Sequence, residues 1–286
     1  MQEWKQQRQK SYFYNLRKFH NSIKRDLYNK YSNGRSVLEL AFGRGGDLGK
    51  LYDNKASRVV GYDIAAESIK EAQRRLTDGS YPIDFATRVK LGVKDLASEI
   101  ISGSQEFDVV SSMFAFHYFF KNEQTFKTIM ASIENNLKIG GVLLLCLFDG
   151  DSVRKRLNKP FSDSHFHIRS RNVDVNDASL FGHKVNVLLR DDIQDVSSDI
   201  YNPEDEYLVD FQRFVRVMQM IGFELVESEL FETYYTSKAQ KSFRLSATEK
   251  DVSFLNRTMV FRRTVDIEER LSCLHNNVLD QQNTKK

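Results

Sequence analysis

Apolar residues recur along this chain with two periods, and the switches between them outline its elements. Leu16, Phe19, Ile23 and Leu27 stand three or four apart, so one apolar face and an amphipathic helix are predicted over residues 12–31, ended by Asn33-Gly34. Residues 36–40, Ser-Val-Leu-Glu-Leu, read as the first buried strand. The rhythm continues as helix 47–52, strand 58–62 closed by Asp63, helix 68–76, strand 85–93, strand 107–113 and helix 123–137. Gly140-Gly141 then turns the chain into a strand over 142–148. Helices alternating with continuous apolar strands predict an α/β fold, a mostly parallel Rossmann-like sheet covered by helices on both faces.

Beyond Asp149 the rhythm weakens. Residues 162–178 are polar and read as a loop or short hairpin overhanging the sheet. A strand at 184–189, a helix at 211–221 and strands at 223–231 and 253–262 follow, the last expected to run antiparallel. Ile267, Leu271, Leu274 and Val278 have helical spacing and predict a tail helix packed on the domain. The expected division is a helical segment at 1–32 that contributes to the site, a main domain at 33–264 and a tail at 265–286.

Composition narrows the classes. With 41% hydrophobic and 28% charged residues, the chain can build a core under a polar surface. Its longest apolar run, 142–148, is too short to cross a bilayer, and its opening residues are polar rather than leader-like. Cys146 and Cys273 cannot form a disulfide framework, so a reducing compartment, cytoplasmic or nuclear, is expected. The net charge of +3 permits a local phosphate-binding patch without a basic coat. His165 and His167 lack a third ligand at suitable spacing, so they read as solvated loop and no metal is expected.

The candidate chemistry begins at Glu39-Leu40-Ala41-Phe42-Gly43-Arg44-Gly45-Gly46-Asp47, between a strand and a helix. Glycines at 43 and 45 let the backbone turn sharply and approach a ligand. Asp63 lies about twenty residues past Gly43, where a carboxylate can accept from both hydroxyls of a ribose. The dinucleotide fingerprint fails because Leu48 holds the third glycine position, which disfavours NAD. Glu39 would repel a pyrophosphate but can orient an α-ammonium, so S-adenosylmethionine fits better. Asp95 is either a partner for the adenine amino group or a helix N-cap before Leu96. Phe114-Ala115-Phe116-His117-Tyr118 puts aromatic rings at the open end of a strand, a platform for a planar substrate.

Five segments in order resemble the mRNA cap (guanine-N7) methyltransferases, a class I S-adenosylmethionine-dependent methyltransferase family, over residues 16–263. They are Leu-Arg-Lys-Phe-His-Asn-Ser-Ile-Lys at 16–24, the glycine loop at 43–47, the aromatic run at 111–118, Glu-Tyr-Leu-Val-Asp-Phe at 206–211 and Met-Val-Phe-Arg at 259–262. The resemblance implies transfer of a methyl group to N7 of the GpppN cap guanine, leaving S-adenosylhomocysteine, without a metal. It implies that Lys24, Glu39, Gly43, Gly45, Asp63 and Asp95 bind the cofactor. It also implies that Asn21, Phe116, His117, Tyr118, Glu206 and Asn256 hold the guanine while Arg44 and Arg75 face its phosphates. Tyr118 offers a ring for stacking, and Glu206 can accept from the N1–H and exocyclic amine that distinguish guanine. N7 carries a lone pair and no proton, so no acid–base residue is nominated; the task is alignment and electrostatics.

The sequence departs from the family pattern where Ala41-Phe42 replaces Gly-Cys, Arg44 replaces lysine and Asn256 replaces tyrosine. Expected partners are the capped 5′ end of RNA, the guanylyltransferase and triphosphatase modules of a capping enzyme, and an activator subunit of the kind some viral relatives need; no membrane is expected. A viral member would be packaged in the virion. The rival readings are a small-molecule or tRNA methyltransferase and an inactive methyltransferase-like binding subunit.

Overall fold

A computed structural model describes residues 11–158, 165–170, 179–189, 204–239 and 242–265. Helix α1 (Tyr14–Tyr31) buries Leu16, Phe19, Ile23 and Leu27, the face its sequence periodicity specifies. Strand β1 (Ser36–Leu40) is buried at every position. Helix α2 (Leu48–Asp53), β2 (Arg58–Asp63), α3 (Ala66–Thr77), β3 (Val89–Val93), β4 (Phe107–Met113), α4 (Glu123–Asn136) and β5 (Leu137–Phe148) follow. Helix α5 (Gly150–Leu157), strands β6 (Phe166–Ser170), β7 (Lys184–Leu189) and β8 (Glu204–Tyr207), helix α6 (Phe211–Met220), β9 (Phe223–Leu230), a helical turn at Phe231–Tyr234 running into a π-helical turn at Tyr235–Ala239, α7 (Ala247–Ser253) and β10 (Asn256–Arg263) follow.

Seven strands form one sheet in the order β3-β2-β1-β4-β5-β10-β9. β1 pairs in parallel with both β2 and β4, while β10 runs antiparallel to β5 and β9, as expected of the last strand. The chain therefore leaves β1 toward one edge and returns to begin β4 on its other side. That reversal opens a crevice at the carboxyl ends of β1 and β4, where open α/β sheets bind ligands. Strands β6, β7 and β8 make a separate antiparallel sheet. It is fastened to the main body by Phe166, Val185 and Leu208, which share a cluster with Phe13, Leu16 and Phe148.

Three expectations need correction. The strand expected over 85–93 begins only at Val89, because Pro82 starts a single helical turn, Ile83–Ala86, whose buried Phe85 packs against Tyr52 and Tyr81. The strand expected from residue 253 begins at Asn256, since Ser246 and Glu249 form a reciprocal capping box that nucleates α7. His165 and His167 are not solvated loop: His165 stacks on Tyr12 at 3.6 Å and His167 lies in β6. Among the described residues no helix is long and apolar enough to cross a membrane. The tail helix expected at 267–278, with Cys273, lies outside the described residues.

Candidate active site

The glycine loop sits at the carboxyl end of β1 and depends on backbone conformations that side chains resist. Gly43 and Gly45 have φ of 56° and 72°, and a Cβ on Gly45 would lie 2.6 Å from Leu48 Cδ1. Ala41 adopts φ 57° despite its Cβ, and Phe114, at the end of β4, adopts 64°. Both of these strained residues border the crevice. Asp63 pins the loop from β2: its Oδ2 accepts from Gly43 N at 2.7 Å and its Oδ1 from Ala65 N at 2.8 Å.

Beneath the loop lies a cluster of charges. Lys24 Nζ donates to Asp47 Oδ2 at 2.9 Å and stands 2.7 Å from Oδ1. Lys50 Nζ is also 2.7 Å from Oδ1 and donates to Asn21 Oδ1 at 2.7 Å and the Gly46 carbonyl at 3.2 Å. Glu39 is 2% exposed, and its Oε2 has no hydrogen-bond partner. Burial, reinforced by the nearby Asp47 carboxylate, holds the Glu39 carboxyl well above its usual range. Burial opposes charge on Asp47 too, but Lys24 and Lys50 outweigh it and lower the Asp47 pKa. Of the two lysines, burial wins at Lys50 and lowers it, whereas at Lys24 Asp47 overcomes burial and raises it.

Lys24, Glu39 and Asp47 line a cavity of about 600 Å³, rimmed by Arg17, Arg44 and Arg75. Arg75 is steadied by donation to the Arg44 carbonyl at 2.7 Å. A smaller cavity of about 230 Å³ shares Arg17, Lys24, Gly46 and Arg75 with it and adds His20, Asn21 and Phe114. The His20 ring stacks on Phe114 at 4.9 Å and its Nε2 meets Ser253 Oγ at 2.9 Å. Burial, then Lys24, depress the His20 pKa to about 3, so the imidazole is neutral. A third cavity, between α1 and β9, contains the ion pairs Lys30–Glu227 and Lys238–Glu229.

Three residues past Phe114, the chain supplies a second polar cluster. Tyr118 Oη donates to Glu206 Oε1 at 3.1 Å, and His117 Nε2 is in close contact with Glu206 Oε2. Residues 117 and 118 come from a 3₁₀ turn (Phe116–Lys121), whereas Glu206 comes from β8 of the small sheet. His117, Tyr118 and Glu206 thus meet one another, but none is among the residues lining the two crevice cavities.

Several nominated residues are engaged elsewhere. The Phe116 ring is fully buried against Phe119, Phe120 and Phe214, so it belongs to the core and not to a stacking platform. Asn256 is 2% exposed and donates its amide to the Val252 and Ser253 carbonyls, ending α7 rather than facing a ligand. Asp95 heads a turn rather than capping a helix, since residues 96–98 form only a turn; its carboxylate accepts from Ala97 N at 3.0 Å and Ser98 Oγ at 2.7 Å. Asn21 is held between the Arg17 carbonyl and Lys50. Sequence reasoning missed Arg17, His20, Asp47 and Lys50. The available signal was spacing: His20 stands one helical turn before Lys24 and Asp47 three residues before Lys50.

The profile of the mRNA (guanine-N(7))-methyltransferase domain matches residues 1–270. The mRNA cap guanine-N(7) methyltransferase of Saccharomyces cerevisiae is 29% identical over 248 residues, covering 79% of this chain and 54% of the yeast protein. A protein of Acanthamoeba polyphaga mimivirus named "Probable mRNA-capping enzyme" is 26% identical over 257 residues, 78% of this chain and 22% of that protein. The chain thus spans about half the length of the fungal relatives it matches. Among solved structures, an S-adenosylmethionine-dependent methyltransferase from Listeria monocytogenes superposes with a TM-score of 0.54 at 15% identity, covering 82% of this chain and 91% of that one. That likeness is one of fold.

Proposed function

The chain belongs to the mRNA (guanine-N(7))-methyltransferase family, and we propose that it transfers a methyl group from S-adenosylmethionine to N7 of the guanine in an RNA cap. The observation that carries this reading is the buried, partnerless Oε2 of Glu39 on a cavity rimmed by three guanidinium groups. An α-ammonium supplies the donor that Glu39 Oε2 lacks, so the residues present fit the cofactor. The bound cofactor contributes a methyl group activated on a sulfonium.

The protein's part is alignment and electrostatics. In this reading Lys24, Glu39, Gly43, Gly45 and Asp63 hold the cofactor. Asp63, both of whose oxygens already accept backbone N–H groups, also offers remaining lone pairs to a ribose. His117, Tyr118 and Glu206 orient the guanine, with Glu206 exchanging the Tyr118 hydroxyl for the N1–H and N2 edge of the base. Arg44 and Arg75, permanently charged forks, take the phosphates. Modules that build the cap are the partners this reading calls for, because they supply its substrate.

Incubation with capped, unmethylated RNA and methyl-labelled S-adenosylmethionine, followed by nuclease digestion, tests the proposal. Label recovered as 7-methylguanosine in the cap is the expected result. Label in any other nucleoside, or none in a protein that binds the cofactor, rejects it.

A further inference from the structure

A cap does not end at its phosphates: the GpppN bridge continues into a second nucleoside, whose base offers a flat face to any ring that can stack on it. The residues that receive guanine and phosphates leave this second base without a place. Arg17 leads to one. It lines both crevice cavities, and its Nη1 donates to Ser11 Oγ at 2.7 Å. The guanidinium thereby joins the rim of the site to the turn that precedes α1. The next residue in that turn is Tyr12, whose ring lies flat on His165 with centroids 3.6 Å apart and planes 1° from parallel.

The neighbours of these rings explain the stack. Tyr12-Phe13, just before α1, and His165-Phe166, at the entry to β6, meet as two dipeptides. Phe13 and Phe166, 3% and 0% exposed, belong to the apolar cluster that fastens the small sheet to the main body. Tyr12 Oη donates to Thr248 Oγ1 at 3.2 Å, a second hold, from α7. The Tyr12 ring is thus fixed by the small sheet and by α7, yet 38% of the residue stays exposed. A ring ordered in advance, with open surface, takes a base at little cost in side-chain entropy. The acid beside Thr248 does not oppose an incoming phosphate. Glu249 is 3% exposed, and its oxygens accept from Leu16 N and Ser246 N.

We propose that Tyr12, backed by His165, stacks the base of the first transcribed nucleotide of capped RNA, with Arg17 carrying the phosphate bridge past the rim toward it. The inference rests on the cap reading above and extends it by one nucleotide. No bond is made or broken at this subsite. It anchors the RNA side of the bridge while the guanine side is held for transfer. Stacking reads no base edge, so all four nucleotides are accepted there, with modest preferences set by stacking strength.

Equilibrium binding of the full chain to GpppA and to its abasic analogue, adenine replaced by hydrogen, tests this by isolating the second base at constant charge. The wild type is expected to prefer GpppA by roughly 5- to 150-fold, the range for one stacked base. Tyr12→Ala should reduce that ratio to about one, whereas Tyr12→Trp, which keeps a ring, should preserve it. No preference in the wild type overturns the inference. So does a preference that survives Tyr12→Ala, even if both ligands then bind more weakly, because the ring is then structural only. Should Tyr12→Ala not fold, Tyr12→Leu, which fills the space without a ring, decides by the same ratio. Binding of ApppA as tight as that of GpppA instead removes the guanine reading itself, so the two failures are told apart.

Discussion

The charged cluster at one end of the candidate site draws Lys24, Glu39, Asp47 and Lys50 from residues 24–50, whereas the polar cluster at the other joins Tyr118 to Glu206 across 88 positions. At the first, opposite charges are sealed under a glycine loop with Asp47 only 3% exposed. At the second, a phenol and an imidazole share one carboxylate on a strand of the small sheet. Buried ion clusters cost heavily when a member is removed, because the remaining charge keeps its desolvation penalty. Hydrogen bonds among a carboxylate, a phenol and an imidazole can be exchanged for a ligand's. One end is therefore a fixed socket and the other a set of groups whose bonds can be handed over.

The difference can be broken by mutation, and the largest effect is expected at the socket. Asp47→Ala removes the carboxylate that both buried ammonium groups contact and should lower folding stability by about 3–5 kcal/mol, read by chemical denaturation. A loss below about 1 kcal/mol, the worth of an exposed ion pair, would show that the cluster is not sealed. Next comes Glu206→Gln. Turnover on capped RNA should drop about a hundredfold with S-adenosylhomocysteine affinity nearly unchanged; parallel loss of both would erase the separation of the two ends.

Tyr118→Ala should weaken a cap analogue by about 1–3 kcal/mol, the value of a stacked base, without moving cofactor affinity. Equal binding of the analogue by mutant and wild type would end the stacking assignment. The smallest effect is expected at Ala41→Gly, which relieves a left-handed backbone and should stabilise the protein by up to about 1 kcal/mol, or roughly 2 °C in Tm. A lower melting temperature would mean that the Ala41 methyl packs usefully in the loop.

The sequence revealed these ends unequally, for physical reasons. Period and chain order sufficed for the sheet, and the β1 loop with Asp63 was legible because its parts are fixed by spacing from one strand to the next. Phe116 was misread because the segment leaves β4 as a 3₁₀ turn. A strand's alternation no longer applies there, and its ring falls into the core while its neighbours meet Glu206. Glu206 follows Glu204 and Asp205 in an acidic run, and nothing in that run shows that pairing with β7 buries it. His20 was missed because neighbouring polar residues on a helix are equivalent until packing decides which one faces Phe114. The helix α7 was hidden in a polar insert, although Ser246 and Glu249 stand at capping-box spacing.

Helix α1 is bonded to α7 at two points. Leu16 N donates to Glu249 Oε1 at 2.8 Å and His20 meets Ser253 Oγ, each pair separated by 233 positions. During synthesis the first of these segments emerges from the ribosome long before its mate exists, at roughly 5–20 residues per second. Contacts so distant along the chain also slow the search for the native arrangement. A nascent chain halted at β5 would carry the glycine loop and most of the sheet, but the helix supplying Lys24 would still lack its anchor. Competence to grip a nucleoside should accordingly arrive late in translation, after α7 has left the exit tunnel.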